Sequence, residues 1–229
     1  FSVASWGRHL PDTKLIVGLR HPVLFFQSFY NFLTQNGWNF GSPYGLVRGC
    51  NHETGDKKCY YGSCPQGILC VGRARFHLFL AQLGKTSLDE EERKWLPFAE
   101  DEILKNHHLP NDIFLYETSQ LTGMQNESRT ELFWEDVAGF LNFPYNIPYD
   151  IHSTPGKKHS DPKKQEKVQK RKIDICDPLY EELRKPLMEY AIQISHWVCE
   201  YFVKSDGVFV SSPEHFCNIL KGLRQDPCA

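Results

Sequence analysis

The run KLIVGLRHP, residues 14–22, constrains the fold more than any other stretch. Residues 14–19 are short, continuous and apolar, the pattern of a strand buried on both faces. Pro22 follows at once. It predicts an aromatic-rich helix to about Gln35, because proline at the first helical position has no N–H to leave unsatisfied. A second buried strand is predicted at NDIFLYE, residues 111–117, and an amphipathic helix over 129–142. Strands separated by helices point to an α/β chain with a mainly parallel sheet.

The remaining periodicity fills in that frame. Residues 72–83 read as a helix stopped by Gly84, and 88–106 as a charged helical stretch. A long helix is predicted from Asp177 to about Val203. Leu179, Leu183, Leu187, Ala191, Ile194 and Trp197 form its apolar stripe, and Pro186 should bend it. GVFVSS reads as a short strand, and PEHFCNILKGL as a last helix. With 229 residues the chain suits one domain with a sizeable core. No apolar run reaches the roughly 18–20 residues that span a bilayer. The first residue is Phe1, which reads as a processed product or a fragment.

Eight cysteines are present, and Cys50, Cys59, Cys64 and Cys70 crowd into an insertion at about 36–70. No CxxC occurs, so a zinc ribbon is poorly supported. His52 beside Cys50 and Cys59 leaves a metal site as the alternative to disulfides within that loop. The even count and a glycosylation sequon at Asn126 lean toward an oxidising secretory compartment, with the cytoplasm as the alternative.

Arg20 ends a strand and Ser28 lies two turns into the next helix. In open α/β sheets, ligands bind beyond the carboxyl ends of strands. A guanidinium there can grip a phosphate with two parallel hydrogen bonds, beside a helix N-terminus and a hydroxyl. Arg20-His21-Pro22 followed by Ser28-Phe29-Tyr30 resembles the 3′-phosphate signature of sulfotransferases, which use 3′-phosphoadenosine 5′-phosphosulfate (PAPS). LPDTKLIVGLRHP, DIFLYETSQL and VAGFLNFP are similar to family segments in the same order, over about residues 10–145. The likeness is closer to membrane-anchored Golgi carbohydrate sulfotransferases than to the cytosolic enzymes.

The resemblance implies a three-layer P-loop-type sandwich, with PAPS as co-substrate, no metal and a carbohydrate acceptor. It also implies a Golgi or secretory location, with any membrane anchor outside this chain. Arg20 and Ser28 would hold the cofactor's 3′-phosphate. TPGKKHSDP loosely resembles a phosphate-closing loop, which makes Lys157 and Lys158 further cofactor candidates. They open a basic stretch within 152–172 that carries eight Lys or Arg against two acidic residues. Without interleaved aromatics it does not read as a nucleic-acid site; it reads as a solvated run or a glycan-attracting one.

Two elements of the family pattern are not matched. The family's 5′-phosphosulfate loop and general base should precede Arg20 by more than the nineteen residues present, so the expected fold is N-terminally incomplete. His9, in a His-Leu-Pro, stands too close to Arg20 to match the corresponding histidine. Glu117 is a weaker candidate base, with a structural role favoured. No catalytic residue is assigned. LGKT at 83–86 imitates a phosphate loop, but Phe79 stands where its first glycine belongs. Three alternatives remain: a non-catalytic sulfotransferase-like fragment, a disulfide-rich glycan-binding protein, and a nucleotide kinase, which the want of a complete phosphate loop counts against. The acceptor and the oligomeric state are not legible.

Overall fold

The computed structural model describes residues 9–36, 43, 80–81, 83–96, 104–105, 108–122, 127–144 and 172–229. The described residues fall into two compact units. The first lies within 1–20, 76–151 and 192–224, and the second within 21–75, 152–191 and 225–229. The fold is mixed α/β. Its elements are β1 (Leu15–Leu19), α1 (Pro22–Gln35), α2 (Glu90–Trp95), β2 (Ile113–Glu117), α3 (Ser119–Thr122), α4 (Glu127–Leu141), α5 (Glu181–Glu200), β3 (Val208–Val210) and α6 (Pro213–Gly222). The 3₁₀ turns Pro178–Tyr180 and Phe202–Lys204 flank α5.

The first unit carries a three-stranded sheet in the order β1-β2-β3, all parallel. Leu15 pairs with Ile113 and Leu19 with Glu117, while Ile113 pairs with Val208 on the other side. Central β2 buries Ile113, Phe114 and Leu115. The expectation that β1 is buried on both faces is corrected. Ile16 is 47% exposed, because burial alternates along β1 and the face that Ile16 and Gly18 share is the less covered one. Gly18 sits opposite Tyr116 in register, and a Cβ there would lie 2.6 Å from the Tyr116 hydroxyl. The glycine lets that ring cross the strand. Phe114, Phe133, Val137 and Phe140 form a cluster between β2 and α4. Lys14 ties β1 to this unit by donating to the Phe140 carbonyl, with its ammonium 5.2 Å above the Phe140 ring.

Local chemistry sets the helix ends. Asp89 and Glu92 form a reciprocal capping box at α2, with Glu92 N–H 2.8 Å from Asp89 Oδ1. This helix ends at Trp95, since Pro97 follows and disfavours helical backbone at Leu96. Beyond Leu96, in the rest of the helical stretch expected over 88–106, Leu104 and Lys105 are helical and the remainder lies outside the described residues. The stripe on α5 is correct at Leu183, Leu187, Ala191, Ile194 and Trp197, all buried. Leu179 is not part of it: it lies in the 3₁₀ turn before the helix and is 68% exposed. Among the described residues two disulfides are present, Cys199–Cys217 in the first unit and Cys176–Cys228 in the second. No described helix is long and apolar enough to cross a membrane.

Candidate functional site

In the first unit, the carboxyl ends of the three parallel strands share one edge, the edge at which open α/β sheets bind ligands. Arg20 follows β1 directly and is half-buried. After β2, Thr118 N–H donates to the Leu19 carbonyl at 2.9 Å, extending the ladder by one bond. After β3 comes Ser211-Ser212. The buried Ser211 hydroxyl donates to Asp136 Oδ2 at 2.5 Å, and Ser212 adopts a left-handed φ of 48° before α6 begins. A groove of about 480 Å³ opens beside it, lined by Ser119, Gln120, Arg129, Ser212 and His215 among others. Arg129 Nη1 and His215 Nδ1 stand 3.4 Å apart there.

Glu117 has a structural role. Its carboxylate is 5% exposed and accepts from Thr118 Oγ1 at 2.9 Å and Ser119 N–H at 2.7 Å. Both bonds organise the turn into α3, and the second satisfies an amide at that helix's start. His9 is exposed.

In the second unit, α1 begins as its sequence dictates, with Pro22 at its first position. Its N-cap is His21, whose Nδ1 accepts from Val23 N–H at 3.2 Å. Phe25 N–H donates to the His21 carbonyl at 2.8 Å. These first-turn amides are therefore engaged inside the helix, and Pro22 has none to offer. Any anion held here depends on side chains more than on the helix end. Ser28 lies on the exposed side of α1.

Several expected residues lie outside the described ones: Lys157 and Lys158, the Cys50, Cys59, Cys64 and Cys70 cluster with His52, and the sequon at Asn126. Among the described residues, no group of three or more His, Cys, Asp or Glu side chains is placed to hold a metal. Sequence reasoning missed Arg129, His215 and the Ser211-Ser212 pair. The signal for the last was available, since two serines between a strand and an early proline mark a strand-to-helix turn. It also missed both disulfides, whose cysteines are 18 and 52 residues apart and carry no local pattern.

Comparison with models of protein families, with curated proteins and with solved structures finds no match to this chain.

Proposed function

We propose that the chain is part of a sulfotransferase that moves a sulfuryl group from PAPS to a hydroxyl or amine of a carbohydrate, built on a P-loop-type α/β sandwich. The observation that carries this reading is the position of Arg20, at the carboxyl end of a strand in a parallel sheet. Arg-His-Pro and, eight residues on, a serine follow the pattern of a 3′-phosphate site. The exposure of Ser28 leaves its side chain open to solvent for such a contact.

Transfer to a hydroxyl would run in line at sulfur. The acceptor oxygen bonds to sulfur while the bridging oxygen leaves with its electron pair, giving 3′,5′-adenosine bisphosphate. The acceptor proton passes to a base that no described residue is assigned to be. Positioning and charge stabilisation carry such a reaction. Arg20 and Ser28 anchor the nucleotide and do no chemistry, and Lys157 and Lys158 would add cations at its phosphates. Two disulfides fit a secretory setting, in keeping with a Golgi location.

Calorimetric titration with 3′,5′-adenosine bisphosphate tests the reading. Arg20→Ala should weaken binding by about 1.5–3 kcal/mol, the range for a charge-assisted hydrogen bond. A folded chain that binds no nucleotide, or binds equally well without Arg20, overturns it. The same disulfides and the basic run favour a second reading, a secreted glycan-binding protein. Heparin affinity without nucleotide affinity would select it.

A further inference from the structure

Residues 225–229 form a strap within the second unit, and its contacts close a ring around the start of α1. His21 Nε2 donates to the Gln225 carbonyl at 3.0 Å, while Nδ1 of the same ring accepts from Val23 N–H. Those two roles assign the neutral imidazole with its proton on Nε2. Asp226 Oδ2 accepts from Arg184 Nε at 3.0 Å, and the buried Arg184 reaches the Ile175 carbonyl at 2.8 Å through Nη1. Ile175 N–H donates in turn to Gln27 Oε1 at 2.5 Å, and Asn31 exchanges two 2.9 Å bonds with the backbone of Ile173. Gln27 and Asn31 are on α1, so the ring returns to the helix that His21 caps. Its one covalent closure is Cys176–Cys228.

We propose that His21 is a positioning residue for the nucleotide site, held in its capping orientation by a C-terminal strap that the Cys176–Cys228 disulfide locks. The geometry stands by itself; the consequence for nucleotide affinity rests on the PAPS reading. The imidazole bonds the helix through Nδ1 and the strap through Nε2, so losing the strap removes the bond that anchors the far side of the ring. Without the disulfide, the contacts that tie the strap to its unit are the His21 bond and the Arg184–Asp226 pair. The aspartate side chain of that pair is 32% exposed, and an ion pair so open to solvent holds weakly.

The lock is accessible to chemistry. Cys176 is exposed and Cys228 half-buried, whereas Cys199 of the other disulfide is buried. A dithiol reductant attacks one sulfur to form a mixed disulfide, and its second thiol resolves that bond. Two electrons and two protons pass to the protein, leaving thiols at Cys176 and Cys228 and the reductant as a disulfide.

The test uses the full chain carrying Cys176→Ser, Cys228→Ser, His21→Ala or His21→Asn, with Cys217→Ser as control. Two quantities are read: amide hydrogen exchange over Val23–Phe26, and the Kd for 3′,5′-adenosine bisphosphate. Either serine change at the lock should speed exchange and raise Kd, each about five- to tenfold, the scale of losing an N-cap. His21→Ala should do the same. His21→Asn can cap the helix without reaching the strap, so it should keep slow exchange and make Cys228→Ser silent. Cys217→Ser should leave the first turn of α1 unchanged.

Slow exchange persisting in both lock variants overturns the strap. Fast exchange with unchanged Kd overturns the positioning role. If the oxidised parent binds no nucleotide, the PAPS reading and the positioning role fail together, while the exchange data still decide the strap. Should a cysteine variant not fold, exchange over Val23–Phe26 in the Cys217→Ser chain with and without a dithiol reductant decides the strap, and the His21→Ala and His21→Asn pair decides the positioning role.

Discussion

The two units hold themselves together by different means. In the sheet unit, Phe114 meets Phe133 edge-on at 5.9 Å and Phe140 at 5.5 Å, and Trp197 stacks on Phe202 at 4.9 Å. In the other unit, buried Val23, Phe26, Leu183 and Leu187 are accompanied by hydrogen bonds from polar side chains that cross long stretches of sequence. Gln27 reaches Ile175, 148 residues away, and His21 reaches Gln225, 204 residues away. Removing a side chain from the first kind of structure leaves a void. Removing one from the second leaves a polar partner unpaired, or the 225–229 strap loose.

The largest expected effect therefore belongs to the sheet unit. Phe133→Ala takes away the ring that touches Phe114, Tyr116 and Trp134, and should cost about 3–5 kcal/mol in urea unfolding. A loss below about 1 kcal/mol would mean that the cluster collapses around the void, and the contrast between the units would weaken.

The disulfides sharpen the comparison. Cys199–Cys217 closes 18 residues and Cys176–Cys228 closes 52. If each acts mainly by restricting the unfolded chain, they contribute about 3 and about 4 kcal/mol. Cys228→Ser should then lower stability more than Cys217→Ser, although Cys217 is paired with a buried cysteine and Cys228 belongs to a terminal strap. The reverse order would show that the packed setting of Cys199 outweighs loop length.

The same contrast explains what could be read in advance. Strands β1 and β2, helices α1 and α4, and the stripe on α5 follow from apolar spacing and proline placement, both of which are local. The edge position of β1 does not, because Leu15–Leu19 is equally apolar whether one neighbour or two flank it. The place of Arg20 at the end of β1 was legible because a charge ending an apolar run is a local signal. Arg129 and His215 were not, being 86 residues apart and each ordinary on an amphipathic helix. The His21 strap was beyond reach for the same reason: nothing in Arg-His-Pro points to Gln225.

The smallest effects separate the units by acidity. His196 stacks on Trp95 at 3.7 Å, and its pKa is lowered from 6.5 chiefly by burial, with Arg224 adding and Glu200 opposing. A depressed histidine pKa means that the unfolded chain takes up the proton first, so stability is full above about pH 6.5 and falls as pH drops through the folded pKa. In the strap, burial works to raise the Asp226 pKa, but the Cys228 N–H, Arg184 and His21 bring it below 3.8. That contribution is present above pH 3.8 and is lost only as pH falls further. Acid should thus loosen the sheet unit as pH falls below about 6.5, while the Asp226 contribution to the strap is lost only below about pH 3.8. Trp95 fluorescence would report the first step, and hydrogen exchange at Cys228, whose N–H donates to Asp226 Oδ1, the second. His196→Gln should abolish the first step and leave the second in place. A single transition shared by both probes would mean that the two units unfold as one.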